Sequence, residues 1–596
     1  MGWNVVNLER YVPFWQKKVK IIQKLCNFFL IHEVYLLGGT IMSSILKVLS
    51  ILLLITVFSC NTVGKNQLLT SDVEMEINER ILEVMSRSEF NGARWGMEFY
   101  IPKTNEVIYS HNGNQFFTPA SSMKVFTAGT AFEYIGVDYH FHTPVYRTGP
   151  IIDGVLRGDL VIKASGDLLL GGRVNEDGSI NLPSPDHTYD MSVGAGPVSN
   201  YTLQSIQFIA DQIAASGIKH IEGNIFVDNS LFREEIGEVG GTGAITVSSM
   251  IINDNLIDVT IVPASIVGAP AELHISPESS YLTVINETIT TSATGRQDVP
   301  GGFVMMGSNP LRFINNITND DGTNTVTLTG EISLDSVPAF RVYRIPEPDR
   351  FAEIVLGELL YEKGITVQSD SNVRPDFAEL SRFYFAENVV AELLSPSLDV
   401  QVLPMLKLSS NPHTVTWYYL IGAIAGGESD NAYDKGKELQ TELFEKAGVE
   451  SLAMPPRETI NALGQVSNVD RAFEEEYMPS SFTNFLTYIY RQPYFERFKN
   501  TLPVLGIDGT LAETHSNSQA AGNVFAKTGT AMQMRRLDGV TSINIKAALA
   551  GFIELPNSEI IVFSVFLEYS PSTANSVEAH ETIGDIVNIV YEAMSS

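Results

Sequence analysis

The stretch FTPASSMKVFTA occupies residues 117–128. Its centre fits the pattern S-x-x-K, with Ser121 and Lys124 at the two ends, and it follows Pro119 at the start of a helix predicted to run to about Ile135. Residues three apart on a helix share one face, so the two side chains would lie side by side. A helix N-terminus also presents unpaired N–H groups that favour a developing oxyanion. The stretch therefore predicts an activated serine at a helix start.

Two further short motifs follow in order along the chain. Residues 409–411 are Ser-Ser-Asn and fit S-x-N, and residues 527–529 are Lys-Thr-Gly. The ordered set S-x-x-K, S-x-N and K-T-G is typical of penicillin-binding proteins and class A β-lactamases. Each motif alone is weak, because S-x-x-K also occurs at residues 44–47 and 216–219. The first of these lies in an apolar N-terminal segment and the second at a predicted helix end, so context favours residues 121–124.

The motif set supplies the parts of an acyl-transfer reaction. A serine hydroxyl is a poor nucleophile until a base takes its proton, and a lysine can be that base when burial and nearby cations lower its pKa. We therefore predict Ser121 as the nucleophile, Lys124 as the base and Lys527 as the cation beside it. Ser409 would relay the proton toward the leaving amine, and Asn411 would hold the substrate amide.

The K-T-G segment is the predicted substrate-binding edge. Lys527 and Thr528 would bind an anionic terminus of the substrate, and Gly529 and Thr530 belong to the same segment. The backbone N–H groups of Ser121 and Thr530 would form the oxyanion hole. Each motif also has an ordinary structural interpretation: an N-cap serine with a solvated lysine, a turn, and a strand-end loop. Three motifs in order with fitting contexts favour the catalytic interpretation.

The sequence around these motifs resembles the penicillin-binding protein 4 type of D-alanyl-D-alanine carboxypeptidase, the peptidase family S13. Residues 117–128 resemble the nucleophile helix of that family, and residues 502–511, Leu-Pro-Val-Leu-Gly-Ile-Asp-Gly-Thr-Leu, resemble its segment before K-T-G. Further matches lie at residues 158–167, 221–230 and 248–271. The long interval between the first two motifs also fits this family, which carries extra domains there.

The resemblance implies a serine-type D-Ala-D-Ala carboxypeptidase, with DD-endopeptidase activity as a further option. Such an enzyme acts on peptidoglycan stem peptides through an acyl-serine intermediate, and β-lactams acylate and inhibit it. Two departures from the family pattern concern substrate fit more than the nucleophile. The middle of S-x-N is usually acidic but is Ser410 here, followed by Pro412, His413 and Thr414. An Asp-Gly-Ser-Gly-Leu-Ser segment of the family is also missing near Gly464.

The predicted fold class is α+β. We expect a serine β-lactamase/DD-peptidase-like domain, an antiparallel sheet flanked by helices, interrupted by β-rich inserted domains. Helical periodicity occurs toward both ends of the chain, whereas short β-rich stretches with many turn signals lie between them. We assign residues 61–170 and 341–596 to the DD-peptidase domain and residues 171–340 to the insertions. Within the second part, residues 386–394 are predicted to be helical.

Residues 42–60 are predicted to be a lipoprotein signal peptide, and residues 1–41 an over-extended N-terminus. The apolar run from Val48 to Phe58 is too short to span a bilayer but suits a secretory signal. The residues ending at Cys60 resemble a lipobox, in which this cysteine becomes the site of lipid attachment. We therefore expect an exported protein of the periplasm or cell envelope that contacts a membrane only through its lipid anchor. The alternative is an ordinary buried helix at this run.

The composition excludes several classes of protein. The 596 residues include 39 Lys+Arg and 69 Asp+Glu, and the resulting net charge of −30 repels phosphate backbones, so no nucleic-acid partner is expected. The two cysteines, Cys26 and Cys60, cannot form a disulfide framework or a four-ligand zinc site. We find no H-E-x-x-H, no G-x-S-x-G and no nucleotide-binding loop, so we expect neither a metal nor a cofactor.

Two alternative functions stay open at this point. The two departures from the family pattern would also fit a non-catalytic peptidoglycan-binding lipoprotein of the same fold. A β-lactamase or esterase would use the same acylation but needs an acid that activates a deacylating water, and the sequence does not identify one. The expected partners are peptidoglycan stem peptides, with β-lactam antibiotics as inhibitors.

Overall fold

The computed structural model describes residues 71–595 apart from 191, 193, 200, 240–242, 294–309, 369–372, 454–474, 538–539 and 572–575. The predicted signal peptide with Cys60 and the segment near Gly464 lie outside the described residues. Within the described ranges, none of the helices combines the length and apolarity that crossing a bilayer requires.

The described chain alternates between helices and short strands. The α-helices are α1 (Ser71–Met85), α2 (Lys124–Tyr134), α3 (Gln204–Ala215), α4 (Pro348–Glu362), α5 (Phe377–Leu380), α6 (Leu398–Gln401), α7 (Leu403–Lys407), α8 (Asn411–Leu420), α9 (Ala432–Ala447), α10 (Pro479–Tyr490), α11 (Phe495–Thr501) and α12 (Val577–Ser595). The strands up to residue 247 are β1 (Arg94–Ile101), β2 (Glu106–His111), β3 (His140–Arg147), β4 (Ile151–Ile152), β5 (Val155–Leu156), β6 (Leu160–Lys163), β7 (His220–Ile221), β8 (Ile225–Asp228), β9 (Glu235–Val239) and β10 (Gly243–Val247). The later strands are β11 (Leu256–Val262), β12 (Glu272–Ser276), β13 (Leu282–Thr291), β14 (Arg312–Thr318), β15 (Asn324–Ser333), β16 (Ala339–Arg344), β17 (Thr366–Val367), β18 (Val389–Ser397), β19 (Ser451–Ala453), β20 (Glu475–Tyr477), β21 (Val524–Leu537), β22 (Val540–Glu554) and β23 (Ile560–Tyr569).

Strands from both ends of the chain form one five-stranded antiparallel sheet, in the order β2-β1-β23-β22-β21. The central strand β23 is buried along almost its whole length, and it is apolar at nearly every position. A strand of that composition suits a sheet that is covered on both faces. Helix α10 packs against β1 and β23, and α12 packs against α1 and β22. The predicted α+β class, an antiparallel sheet flanked by helices, is confirmed.

An aromatic core fixes α2 against this sheet and its neighbouring helices. The ring centroid of Phe126 lies 4.5 Å from that of Phe482, 4.8 Å from those of Tyr477 and Phe485, and 5.0 Å from that of Phe444. The rings meet in tilted and edge-to-face arrangements, which their quadrupoles prefer. Because Phe126 follows Lys124 closely in α2, this core also holds the S-x-x-K segment in place.

Smaller sheets occupy the middle of the chain. They include a four-stranded sheet in the order β18-β3-β6-β8, and two three-stranded sheets in the orders β12-β11-β16 and β13-β15-β14. A second apolar core packs α3 and α4 against these strands, with Ile209 and Phe351 fully buried in it. The β-rich interruption thus agrees with the predicted fold class, whereas the domain boundaries at residues 170 and 340 stay a prediction.

The prediction of a helix over residues 386–394 is wrong. The chain there forms a short 3₁₀ turn, Ala386–Asn388, and then β18. This strand pairs antiparallel with β3. Two valines at its start favour an extended backbone, and backbone pairing with a neighbouring strand outweighs the helical spacing of its apolar residues.

Candidate active site

Ser121 lies in a 3₁₀ turn, Ala120–Met123, that leads directly into α2. The nucleophile candidate therefore precedes the first α-helical turn and does not lie within it. Ala120 has a φ of 46°, a left-handed conformation that is uncommon for a residue other than glycine and is often found at functional sites. Lys124 is the first residue of α2 and is completely buried. Its Nζ lies 2.9 Å from Ser121 Oγ.

The second motif meets this pair through Lys124. The Nζ of Lys124 lies 3.1 Å from Ser409 Oγ and 2.6 Å from Asn411 Oδ1, and it also contacts the carbonyl oxygen of Ser409. On its other side, Ser409 Oγ lies 2.9 Å from Lys527 Nζ. The structure therefore brings Ser121, Lys124, Ser409 and Lys527 into one continuous chain of polar contacts.

Burial sets the electrostatics of the two lysines, both of which have no exposed surface. Burial lowers the pKa of Lys124 well below its usual value, and the neighbouring charge of Lys527 lowers it further. Burial also lowers the pKa of Lys527 to about 7. Lowering the pKa of a lysine increases the fraction of neutral amine, and a neutral amine can accept the proton of a hydroxyl group. Lys124 is thus suited to activate Ser121.

Gly529 allows β21 to approach the serine turn. A Cβ at this position would lie 2.2 Å from the carbonyl oxygen of Pro119 and 2.9 Å from the backbone nitrogen of Ser122. A glycine is therefore required for this close contact between strand and turn. The next residue, Thr530, is exposed at the same edge, and Thr528 is nearly buried beside Lys527.

Residues 502–511, which the sequence associated with the site only by resemblance, connect the second and third motifs. Asp508 accepts hydrogen bonds from Lys407 Nζ at 2.7 and 2.8 Å, and Lys407 lies two positions before Ser409. Thr510 Oγ1 lies 2.7 Å from Thr528 Oγ1. These contacts hold the S-x-N loop and the K-T-G strand in one arrangement. No motif or resemblance pointed to Lys407.

His580 is a further residue at the site that the sequence did not indicate. Its Nε2 lies 2.6 Å from Thr530 Oγ1, although it belongs to α12 near the end of the chain. Burial and the nearby charge of Lys527 lower the pKa of His580 to about 4, so the ring is neutral at neutral pH. The contact arises because α12 packs against the sheet beside β21, which no local pattern reveals.

The structure explains how the S-x-N motif accommodates Ser410 in place of the usual acidic residue. The Ser410 side chain is buried, and its Oγ lies 2.7 Å from His413 Nδ1. Helix α8 begins directly at Asn411, with Pro412 in its first turn, where a proline is well tolerated. The absence of an acidic residue at position 410 therefore does not prevent the helix from starting at the motif.

One group of side chains in the described part of the chain could be considered for a metal. Single ligand atoms of Asp186, His187 and Asp254 lie within 4.8 Å of one another. However, Arg173 Nη2 donates hydrogen bonds to both carboxylates and already supplies their positive partner. The group is therefore a buried ion-pair cluster.

Known proteins are similar to this chain in sequence and in fold over most of its length. The model of the D-Ala-D-Ala carboxypeptidase 3 (S13) family matches residues 77–586. The chain is 24% identical over 512 residues to the D-alanyl-D-alanine carboxypeptidase of Actinomadura sp. (strain R39), covering 82% of this chain and 80% of that protein. It is 22% identical over 473 residues to the D-alanyl-D-alanine carboxypeptidase DacB of Haemophilus influenzae, covering 78% of this chain and 83% of that protein.

A solved structure of a known protein has a similar fold. The crystal structure of penicillin binding protein 4 (dacB) from Haemophilus influenzae superposes with a TM-score of 0.58, covering 87% of this chain and 99% of that chain at 17% identity. At that identity the likeness establishes a shared fold. Since the family match spans all three motifs, the chain belongs to the D-Ala-D-Ala carboxypeptidase 3 (S13) family of peptidases.

Proposed function

We propose that this chain is a serine D-Ala-D-Ala carboxypeptidase that trims the stem peptides of peptidoglycan through an acyl intermediate on Ser121. The observation that carries this proposal is the position of Lys124, completely buried and 2.9 Å from Ser121 Oγ. A buried lysine with a lowered pKa beside a serine is one of the arrangements that activate a serine as a nucleophile. Membership of the S13 family supports the same reaction class.

Acylation begins with proton transfer from Ser121 to Lys124. As the hydroxyl proton moves to Lys124 Nζ, Ser121 Oγ bonds to the carbonyl carbon of the terminal D-Ala-D-Ala peptide bond. The carbonyl oxygen becomes negative and is stabilised by the backbone N–H groups of Ser121 and Thr530. The close contact that Gly529 permits between β21 and the serine turn supports this pairing of the two N–H groups.

Release of D-alanine requires a proton on its nitrogen. Ser409 Oγ contacts both Lys124 Nζ at 3.1 Å and Lys527 Nζ at 2.9 Å, so it can pass the proton from Lys124 toward the leaving amine. The C–N bond then breaks, and the remaining peptide stays as an ester on Ser121. The oxygen of a water molecule bonds to the ester carbon while one water proton passes to Lys124 Nζ. The bond between this carbon and Ser121 Oγ then breaks, Ser121 Oγ takes the proton back from Lys124 at 2.9 Å, and the shortened stem peptide leaves with a terminal carboxyl group.

The substrate is held by groups that surround the reacting bond. Lys527, Thr528 and Thr530 would bind the terminal carboxylate, and Asn411 would hold the amide of the stem peptide. A carboxylate at Lys527 favours the charged form of this lysine, because an opposite charge raises the pKa of an amine. β-Lactams contain a strained amide followed by a carboxylate, so the same groups would direct them to Ser121 and leave a stable acyl enzyme.

The test is covalent labelling of the purified chain by a fluorescent penicillin. We expect label on the wild type and none on Ser121→Ala. Ser122→Ala is the matched control, since it makes the same change on the next residue, whose hydroxyl donates to the carbonyl of Pro119. This control should retain the label. An unlabelled wild type, or a labelled Ser121→Ala, would contradict the proposal.

Product analysis distinguishes the related activities. Mass spectrometry of a pentapeptide ending in D-Ala-D-Ala should show loss of one D-alanine, and a cross-linked muropeptide dimer tests whether the chain is also a DD-endopeptidase. Binding of these peptides without release of D-alanine would favour the non-catalytic alternative. Rapid turnover of nitrocefin would favour the β-lactamase or esterase alternative.

We further propose that the chain is exported to the periplasm or cell envelope and is lipid-anchored at Cys60. The apolar run before this cysteine and the peptidoglycan substrate both support that location. Cells fed a labelled fatty acid should incorporate the label into the wild type but not into Cys60→Ala. Equal labelling of both proteins would contradict the proposed anchor.

A further inference from the structure

The turn His187–Tyr189 brings a tyrosine from the middle of the chain to the S-x-N motif. The hydroxyl of Tyr189 donates a hydrogen bond of 2.5 Å to the carbonyl oxygen of Ser409. Lys124 Nζ contacts the same carbonyl oxygen. Burial, and then the nearby charge of Asp186, raise the pKa of Tyr189 above its usual value, so its hydroxyl remains a donor. Two donors from separate elements therefore hold one carbonyl group at the centre of the site.

This carbonyl belongs to a residue with an unusual backbone. Ser409 has a φ of 63°, in the left-handed region that a serine rarely adopts. Such conformations persist only where surrounding contacts impose them, and they are common at active sites. The orientation of this peptide also sets the direction of the Ser409 side chain, whose Oγ must lie between the amines of Lys124 and Lys527. The bond from Tyr189 therefore acts on the position of the proposed proton relay.

The turn that carries Tyr189 is itself firmly held. Asp186 caps it, because one carboxylate oxygen accepts from the Thr188 nitrogen at 3.0 Å and from the Thr188 hydroxyl at 2.6 Å. The other carboxylate oxygen accepts a 2.6 Å hydrogen bond from Arg173 Nη2. Asp186, Thr188 and Arg173 are all buried, so this network is shielded from water.

A second set of contacts anchors the middle residue of the turn. His187 is fully buried, and its two ring nitrogens lie 2.9 Å from Asp258 Oδ1 and 2.8 Å from Asp254 Oδ2. Burial alone would lower the pKa of His187, but the two carboxylates outweigh it and raise the pKa to about 10. The charged ring then donates to both acids. Asp254 also lies 3.5 Å from His413 Nε2, in the helix that begins at Asn411.

We propose that Tyr189 is a positioning residue for the acyl-transfer reaction, holding the Ser409 peptide so that the serine hydroxyl bridges Lys124 and Lys527. The ion-pair cluster of Arg173, Asp186, His187 and Asp254 has the supporting role of fixing the turn that presents the tyrosine. This inference rests on the proposed function. It also assigns a catalytic contribution to a segment outside the three motifs.

The test compares Tyr189→Phe with the wild type in acylation by a fluorescent penicillin. Rates measured over a range of penicillin concentrations give the acylation rate constant at saturation and the half-saturating concentration separately. We expect the rate constant to fall about tenfold or more, because the relay loses its orientation, while the half-saturating concentration changes less than twofold. Tyr201→Phe is the matched control: it lies in the same part of the chain with a side chain that is mostly exposed, and it should react as the wild type does.

The remaining outcomes overturn the inference in distinguishable ways. Rates are normalised to the fraction of molecules that finally become labelled, so that partial misfolding cannot imitate a slower reaction. An unchanged rate constant would show that Ser409 needs no help from Tyr189. A raised half-saturating concentration with an unchanged rate constant would make Tyr189 a contact for the ligand. An unlabelled wild type would overturn the proposed function and this inference with it.

Discussion

Replacing Gly529 with alanine should slow acylation without removing any functional group. The new Cβ would lie 2.2 Å from the Pro119 carbonyl oxygen, 2.9 Å from the Ser122 nitrogen and 3.3 Å from Ala548 Cβ. The first two neighbours are backbone atoms and cannot rotate away. Since ordinary contact begins near 3.4 Å, β21 must separate from the serine turn by about 1.2 Å, the difference between 3.4 and 2.2 Å.

That displacement acts on the distance between the proposed oxyanion donors and the nucleophile. A misplacement of about 1 Å can cost about 100-fold in rate. This factor corresponds to about 2.7 kcal/mol of activation free energy, at about 1.36 kcal/mol for each factor of ten. Overpacking should also lower the free energy of unfolding by about 1–3 kcal/mol.

The assay is the rate of labelling by a fluorescent penicillin, normalised to the fraction of molecules that can be labelled. Gly223→Ala provides a matched control, because its Cβ would lie 2.3 Å from Asp159 Oδ1 and 2.7 Å from the Gly158 carbonyl oxygen, in the middle part of the chain. This variant should lose stability but keep a labelling rate within twofold of the wild type. A Gly529→Ala rate within threefold of the wild type would refute the reasoning, since the contact between strand and turn would then not set the geometry of the reaction.

Two further predictions concern the lysine pair and the aromatic core. Lys124 must be neutral to act as a base, so the acylation rate falls as the pH drops below the pKa of Lys124. Lys527→Gln removes a neighbouring cation and should therefore raise the pKa of Lys124. The decline in rate at low pH should then begin at a higher pH than in the wild type. An acid limb of the pH–rate profile at the same pH as in the wild type would show that the charge of Lys527 does not affect the pKa of Lys124. Phe126→Ala should lower the free energy of unfolding in urea by about 3–5 kcal/mol, and a loss below about 1 kcal/mol would contradict its central place in the core.

The parts of the site that could be predicted are those set by local spacing. Ser121 and Lys124 are three residues apart, so a helical turn alone brings them together. Ser409 and Lys527 reach Ser121 and Lys124 only through the tertiary fold. Their contact depends on β21 lying at the edge of the sheet beside the serine turn. The sequence supplied their order and residue types, which was enough to name them as candidates but not to give distances.

Other features arise from tertiary contacts that no local pattern encodes. Tyr189 and His580 reach the site from the middle segment and from α12, and neither belongs to a recognisable motif. The helix predicted over residues 386–394 failed for a related reason, since pairing with β3 determines the backbone there. Local propensity is a weak guide wherever a partner strand is available.

The net negative charge of the chain and the buried Lys527 act on an anionic substrate at different distances. A net charge of −30 repels an anionic wall polymer at long range. Exposed charges are screened within about 10 Å at 0.1 M salt, whereas buried charges act through a medium of lower dielectric constant. Lys527, the lysine proposed to bind the carboxylate, is fully buried, so its attraction for a carboxylate is strong only inside the site. Recognition of the anionic terminus therefore depends on entry into the site, and the surface charge does not assist it.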